Sequence, residues 1–287
     1  MQTAMPAKDQ VVSANVEFYR EIAQKYDHYE SCAADTFFQE MLDNDVDEMR
    51  KGLENQFEKI RCLDCGGGSG NLTLKLLKRG WAVTVVDVSP DMLEVSKAKI
   101  GASGYAARFV NDSIEHFLAS STENFEIIAF SSVLHHLYSP VEVVREAAAR
   151  ILPGGFFYSN FDPVIPSSRL MATCYRNFDT ILAKLLHDRK DLLPGMTRRF
   201  RKLVLPRNAT HARAIASPGD LAEYHAREGL DDFAIAAALE AQGFGVTRVR
   251  YAAGRTKATK WMNHRLGASL SFKLMARRQN DRPSSLV

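Results

Sequence analysis

The chain has 287 residues, 46% of them apolar and 25% charged, a composition that suits a globular protein of one large domain or two small ones. Disordered, collagen-like and disulfide-stapled chains are excluded. The formal net charge of +3 hides an uneven spread: residues 1–60 hold 6 Lys/Arg against 13 Asp/Glu, residues 61–150 hold 9 against 10, and residues 151–287 hold 22 against 11. Such asymmetry bears on partners more than on fold.

Residues 11–60 show helical periodicity, with Val16, Tyr19, Ile22, Ala23 and Tyr26 on one stripe and Phe37, Phe38, Met41 and Leu42 on a later one. They predict an N-terminal helical prefix over residues 1–58. Strands and helices then alternate. KIRCLDC (59–65) leads through a glycine cluster into a helix over 71–79, and WAVTVVDV (81–88) leads through Ser89 as N-cap and Pro90 into a helix to about Ile100. ARFVND (107–112) and FEIIAFSSV (125–133) are further strands. Ser139, Pro140 and Glu142 read as a capping box for a helix to about Leu152, and GGFFYSNF (154–161) is a fifth strand. This order predicts an α/β, Rossmann-like, doubly wound parallel sheet, with residues 59–161 as its first half.

Residues 162–218 break the regularity. They hold an amphipathic stretch from Leu170 to Leu186 and the basic segment TRRFRKLVLPR, and read as a helical lid insertion. Residues 219–278 resume the pattern with a helix from Asp220 to about Gln242, a strand over 244–251 and an apolar stretch over 269–277, before a flexible tail over 279–287. No run approaches the roughly 18 apolar residues of a spanning helix. The opening MQTAMPAKDQ lacks a signal-peptide core, so a cytoplasmic location is expected.

Cys62 and Cys65 have CxxC spacing but sit in a strand, where residues three apart point to opposite faces, and no second Cys/His pair stands nearby. They read as small buried residues, and no metal site is expected.

The loop Asp64-Cys65-Gly66-Gly67-Gly68-Ser69-Gly70 lies where the first strand turns into the first helix of the sheet. Glycines there permit positive φ and close approach of a ligand. A dinucleotide GxGxxG would need glycine where Asn71 or Thr73 stands, and a GxxxxGK[ST] phosphate loop is absent. What remains is an acid followed by alternate glycines. Asp87 closes the second strand, where a carboxylate can accept both ribose hydroxyls, and Asp112 with Ser113 close the third, where they can read an adenine edge. With the Leu152-Pro153-Gly154-Gly155 turn, these features describe an adenosine site on one edge of the sheet.

The set CLDCGGGSGNLT, VVDVSPDML, NDSIEHF, FEIIAFSSVLHHL and LPGGFF resembles the class I S-adenosylmethionine-dependent methyltransferases, in the small-molecule, type-11-like branch that includes quinone-biosynthesis enzymes. The resemblance is strong over residues 60–160 and looser elsewhere. It implies a seven-stranded sheet with an antiparallel last strand and S-adenosyl-L-methionine as cofactor, its methionine part over Gly66, Gly67, Gly68 and Gly70. It further implies that Asp64 orders the loop, Asp87 binds the ribose, Val88 and Met92 flank the adenine, and Asp112 with Ser113 meet its edge. Ser131 falls near the sulfonium. Tyr26, in the YD pair of the prefix, either caps the cofactor or is a core tyrosine.

Methyl transfer is an in-line displacement that needs exclusion of water and near-attack geometry, with a base when the nucleophile carries a proton of high pKa. His135 and His136 follow the fourth strand: either can deprotonate a hydroxyl, or both hydrogen-bond loop backbone. Asp162 is a weaker candidate, since aspartate before proline is also a turn residue. Arg198, Arg199, Arg201, Lys202, Arg207 and Arg213 favour an anionic acceptor, or form a solvated face. The expectation is an enzyme methylating a small molecule, an anionic or hydroxylated metabolite, at oxygen. An RNA methyltransferase using the basic half, with nucleic acid as partner, and a noncatalytic cofactor-binding protein stand as alternatives. The oligomeric state is left open.

Overall fold

The computed structural model describes residues 8–29, 35–166, 228–251 and 270–280, with a few isolated positions between them. The stripe from Leu170 to Leu186 and the cluster Arg198 to Arg213 fall outside the described residues, except for isolated positions.

The expected sheet is present, with seven strands in the order β3-β2-β1-β4-β5-β7-β6. They are β1 (Arg61–Cys65), β2 (Ala82–Asp87), β3 (Arg108–Asn111), β4 (Phe125–Ser131), β5 (Ile151–Pro163), β6 (Phe244–Tyr251) and β7 (Ser271–Arg278). β1 to β5 run parallel, and β7 lies antiparallel between β5 and β6. The helices are α1 (Lys8–Ile22), the single turn α2 (Tyr26–Tyr29), α3 (Thr36–Leu53), α4 (Asn71–Lys78), α5 (Pro90–Ala102), α6 (Ile114–Ser120), α7 (Pro140–Ala149) and α8 (Asp232–Glu240).

Both faces of the sheet are covered, which is why β4 is apolar from Ile127 to Phe130, while Glu126 before it is buried in an ion pair with Arg61. On one face, α3 sets Leu42, Val46, Met49 and Leu53 against Cys62, Ile127 and Tyr158 of the strands, joined by Leu72 and Leu76 of α4 and Leu93 and Ile100 of α5. The i, i+4, i+7, i+11 spacing puts the four α3 side chains on one stripe, and burial of each stabilises the fold by about 1.5–3 kcal/mol over exposure. On the other face α6, α7 and α8 bring Phe117, Val143, Val144 and Ile235 onto Cys65, Ile128, Phe130 and Phe157. Cys62 and Cys65 thus lie on opposite faces, both buried as free thiols. No cluster of metal ligands occurs among the described residues.

Several boundaries differ from expectation. Ser139 makes no side-chain cap to α7, so the capping box does not form, and the helix ends at Ala149 because the chain enters β5 at Ile151. The LPGG turn is a bulge inside β5: Phe125 pairs with Ile151, and Ile127 already pairs with Phe156. β5 also runs on to Pro163, which makes Asp162 a buried strand residue and not a turn residue. The helix expected from Asp220 is not continuous, since Leu230 bridges Val164 and Asp231 caps α8 with extended backbone. In α1 the buried positions are Val11, Ala14 and Asn15, one stripe over from the one anticipated.

Candidate active site

The strand order reverses direction between β1 and β4, and their carboxyl ends open a crevice there, the usual ligand position in a doubly wound sheet. Gly66 leaves β1 with φ 65 and donates its N–H to the Val86 carbonyl at 2.7 Å. A Cβ on it would come within 2.8 Å of the Val133 side chain past β4, so only glycine lets the two strand ends meet this closely. Gly68 has φ 53, and its N–H donates to Asp87 Oδ2 at 2.9 Å, which clips the loop to the end of β2.

Asp64 lies under this loop, fully buried, and accepts from Thr73 Oγ1 at 2.5 Å. Its Oδ1 has no hydrogen-bond partner. Burial pushes the carboxyl up to about 7; the Thr73 hydrogen bond opposes this and the neighbouring Asp87 adds to it. Burial likewise raises Asp87, against the N–H groups of Ser89 and Gly68 that favour its charged form. A ligand that brings hydroxyl donors to Asp87 at the end of β2 would favour that carboxyl's charged form.

The crevice is a cavity with about 740 Å³ of empty space, part of it open to solvent, within the size range of nucleotide-like ligand sites. Gly66, Gly68, Asp87, Val88, Met92, Ser113, Ser131, Tyr26 and His136 line it. Asp64, Gly67, Gly70, Asp112 and His135 are not in its wall. Gly67 packs toward Val85 and Asp64, while Gly70, with φ 80, is the N-cap of α4. Asp112 is held from the side: Oδ1 accepts from the Ser113 N–H at 2.8 Å and Oδ2 lies 2.6 Å from His116 Nδ1.

The two histidines separate. Both belong to a 3₁₀ turn, Leu134–His136. His135 turns inward, where Nδ1 lies 2.8 Å from Asp162 Oδ1, and the same oxygen accepts from its backbone N–H at 3.2 Å. His136 faces the cavity, with Nε2 2.9 Å from the Tyr19 hydroxyl, and the two imidazole rings lie 4.0 Å apart. Ser132, in the same wall, has φ 63, an uncommon conformation for a non-glycine residue that its N–H bond to the Asn160 carbonyl holds in place.

Among the described residues the cavity is covered by α1, which the sequence did not single out as a cover. Lys8 approaches Glu115 past β3 at 3.8 Å, and Tyr19 reaches His136 past β4. Arg20, the next residue, pairs with Asp91 at 3.9 Å, so α1 also rests on α5, the helix that follows β2. Val11, Val12, Asn15 and Tyr19 form its lining stripe. Past its end Asp27 accepts from Ser69 Oγ of the glycine loop at 2.5 Å and pairs with Lys99 of α5.

Residues 63–159 match the family described as "Methyltransferase domain". Over that third of the chain the protein is similar to methyltransferase domains. Similar curated proteins include the ubiquinone biosynthesis O-methyltransferase of Vibrio vulnificus, 30% identical over 108 residues, 37% of this chain and 46% of that one. The protein of the same name from Xylella fastidiosa is 29% identical over 134 residues, 46% of this chain and 54% of that one. The chain spans about half the length of the curated relatives it matches. Among solved structures, magnesium protoporphyrin IX methyltransferase from Synechocystis PCC 6803, with bound SAH, superposes with a TM-score of 0.57 at 13% identity, over 94% of this chain and 100% of that one. The [4+2]-cyclase SpnF superposes at 0.58 with 11% identity, over 98% and 100%. At these identities the likeness is one of fold, and a cyclase on the methyltransferase fold shows that chemistry has to be argued from the site.

The glycine cradle and the Asp87 carboxyl at the end of β2 fit S-adenosylmethionine. Gly66, Gly68, Asp87, Val88, Met92 and Ser113 are the residues that would hold it.

Proposed function

We propose that the chain transfers a methyl group to a hydroxyl oxygen of a small, largely apolar molecule, with His136 as the base. The observation that carries this reading is the one imidazole that the described residues place in the wall of the donor cavity, with its Nε2 directed at the Tyr19 hydroxyl. Val133, Leu137, Tyr138, Tyr19 and Tyr26 surround it, a mostly apolar and aromatic wall that suits a ring or chain bearing a hydroxyl. The curated relatives, named as O-methyltransferases of ubiquinone biosynthesis, support oxygen as the methylated atom.

S-adenosylmethionine would supply an electrophilic methyl group, whose bond to sulfur breaks to leave the neutral thioether S-adenosylhomocysteine. The chain's own residues do the rest. The acceptor hydroxyl takes the place of the Tyr19 hydroxyl at His136 Nε2, and His136 accepts its proton as the oxygen bonds to carbon. Tyr19 and α1 close the cavity over the reacting atoms, which excludes water and strengthens every polar contact inside. Buried His135, fixed by Asp162, holds the turn that aims its neighbour and is a positioning residue.

The test uses the purified protein with isotopically labelled cofactor and a panel of phenols, catechols and hydroxy acids. We expect label on acceptor oxygen, and for His136→Gln a kcat at least 100-fold lower, within the range for loss of a general base, with S-adenosylhomocysteine affinity within threefold of wild type. Transfer at the wild-type rate by His136→Gln refutes the base. Label only on nitrogen, carbon or RNA refutes the acceptor class.

A further inference from the structure

Asn15 is the one polar side chain of the α1 stripe that is nearly enclosed, only 7% exposed, and it lines the donor cavity. Its Nδ2 donates to the Val11 carbonyl at 3.0 Å. Because that carbonyl can only accept, the amide has one orientation, and the oxygen is the end left over. Asn15 Oδ1 is buried without a hydrogen-bond partner. A leucine there would extend the apolar face of α1 and leave nothing unsatisfied, so the amide serves no purpose of the ligand-free fold.

We propose that Asn15 Oδ1 is a cofactor-recognition site: it accepts a hydrogen bond from an N–H or O–H of the bound S-adenosyl compound, so that the N-terminal helix reads the ligand as well as covering it. This rests on the methyltransferase reading above. Asn15 shares the cavity wall with Gly66, Gly68, Asp87 and Met92 of the donor site. The contact to the proposed base His136 is made by Tyr19, one helical turn further along α1. Both the nucleoside and the amino-acid part of the cofactor carry N–H or O–H donors that an oxygen in this wall can accept. The bond also couples ligand to lid, since the donor that satisfies Asn15 belongs to a molecule resting on the opposite wall.

The test is calorimetric binding of S-adenosylhomocysteine to the wild type and to Asn15→Leu and Asn15→Ala, with thermal unfolding of each protein with and without ligand. Loss of one buried hydrogen bond predicts binding about tenfold weaker in both variants. The ligand-free Asn15→Leu protein should melt at the wild-type temperature or higher, because an unsatisfied polar atom has gone, while its melting shift on adding ligand shrinks. 5′-Methylthioadenosine, which lacks the amino acid, separates the two ends of the cofactor: an equal loss with this probe assigns the bond to the nucleoside, and no loss assigns it to the amino-acid part. S-adenosylhomocysteine affinity within twofold of wild type in both variants overturns the proposal, including the case in which only the acceptor KM rises. Failure of the wild type to bind, or undiminished binding by Asp87→Ala, instead overturns the cofactor site itself.

Discussion

Asp64 makes a prediction about stability that can be worked from the structure. Its carboxyl is fully buried beside a second buried carboxyl, with one hydroxyl bonded to one oxygen, and it titrates at about 7. In the unfolded chain an aspartate titrates near 4. Between these values the folded protein holds a proton that the unfolded chain has released, so the stability difference is present below about pH 4 and is lost as pH rises to 7. The gap of about three pH units corresponds to roughly 4 kcal/mol at its full extent. Asp64→Asn keeps the shape and an acceptor for Thr73 and removes the titration. Urea unfolding of ligand-free wild type and variant at intervals from pH 4.5 to 8.5 should give a stability difference that moves steadily in favour of the variant, by about 1 kcal/mol or more per pH unit, and levels off above pH 7.5. Subtracting the variant removes the parallel contribution of Asp87, whose carboxyl burial also raises. A difference that stays constant across the range would show that Asp64 is ionised in the folded protein throughout, and would refute this account of the loop.

Two further outcomes follow from the same structure. Asp27→Ala removes a partly exposed link from Ser69 and Lys99 to the chain that follows α1; at about 1 kcal/mol it should weaken S-adenosylhomocysteine binding roughly fivefold and speed amide exchange over residues 8–22. Equal exchange in variant and wild type would show that α1 is held by its own contacts. Cys62 and Cys65 are buried, with burial pushing both thiols well above their ordinary range, so a maleimide should leave both unmodified, by peptide mass mapping, until the denaturant reaches the unfolding transition. Modification of either in native buffer contradicts the packing described.

The parts of the site legible in the sequence are those where backbone chemistry restricts the choice of residue. The acid and alternate glycines at 64, 66, 68 and 70 could be read because positive φ and a close approach to Val133 leave few alternatives to glycine. Asp87 could be read because a strand end on the carboxyl edge is fixed by topology. The cover was not legible. An amphipathic stripe in α1 says that one face is buried and nothing about which surface it meets, and the stripe chosen from Val16 to Tyr26 favoured aromatic residues over the small and polar Val11, Ala14 and Asn15 that are enclosed. The signal that was available was Asn15 itself, a polar residue at apolar spacing between Val11 and Tyr19. The basic cluster from Arg198 to Arg213 lies outside the described residues.

His135 and His136 show most sharply what a sequence leaves open, since two adjacent imidazoles after the same strand have the same residue type and the same topological address. The 3₁₀ turn separates them by pointing consecutive side chains in different directions. Which one goes inward is decided by Asp162, whose carboxyl accepts the backbone N–H of His135 and lies against its ring, and which sits in β5 just past a bulge at Phe161, beyond the strand's expected end. A residue 27 positions away thus selects the buried histidine, and by doing so leaves its neighbour in the cavity wall. If this is the basis of the separation, Asp162→Asn should cost activity through His136: it weakens the hold on the turn without touching the cavity. The expected result is a kcat reduced while S-adenosylhomocysteine affinity stays at the wild-type value. An unchanged kcat would mean that the turn is held by β4 and β5 alone.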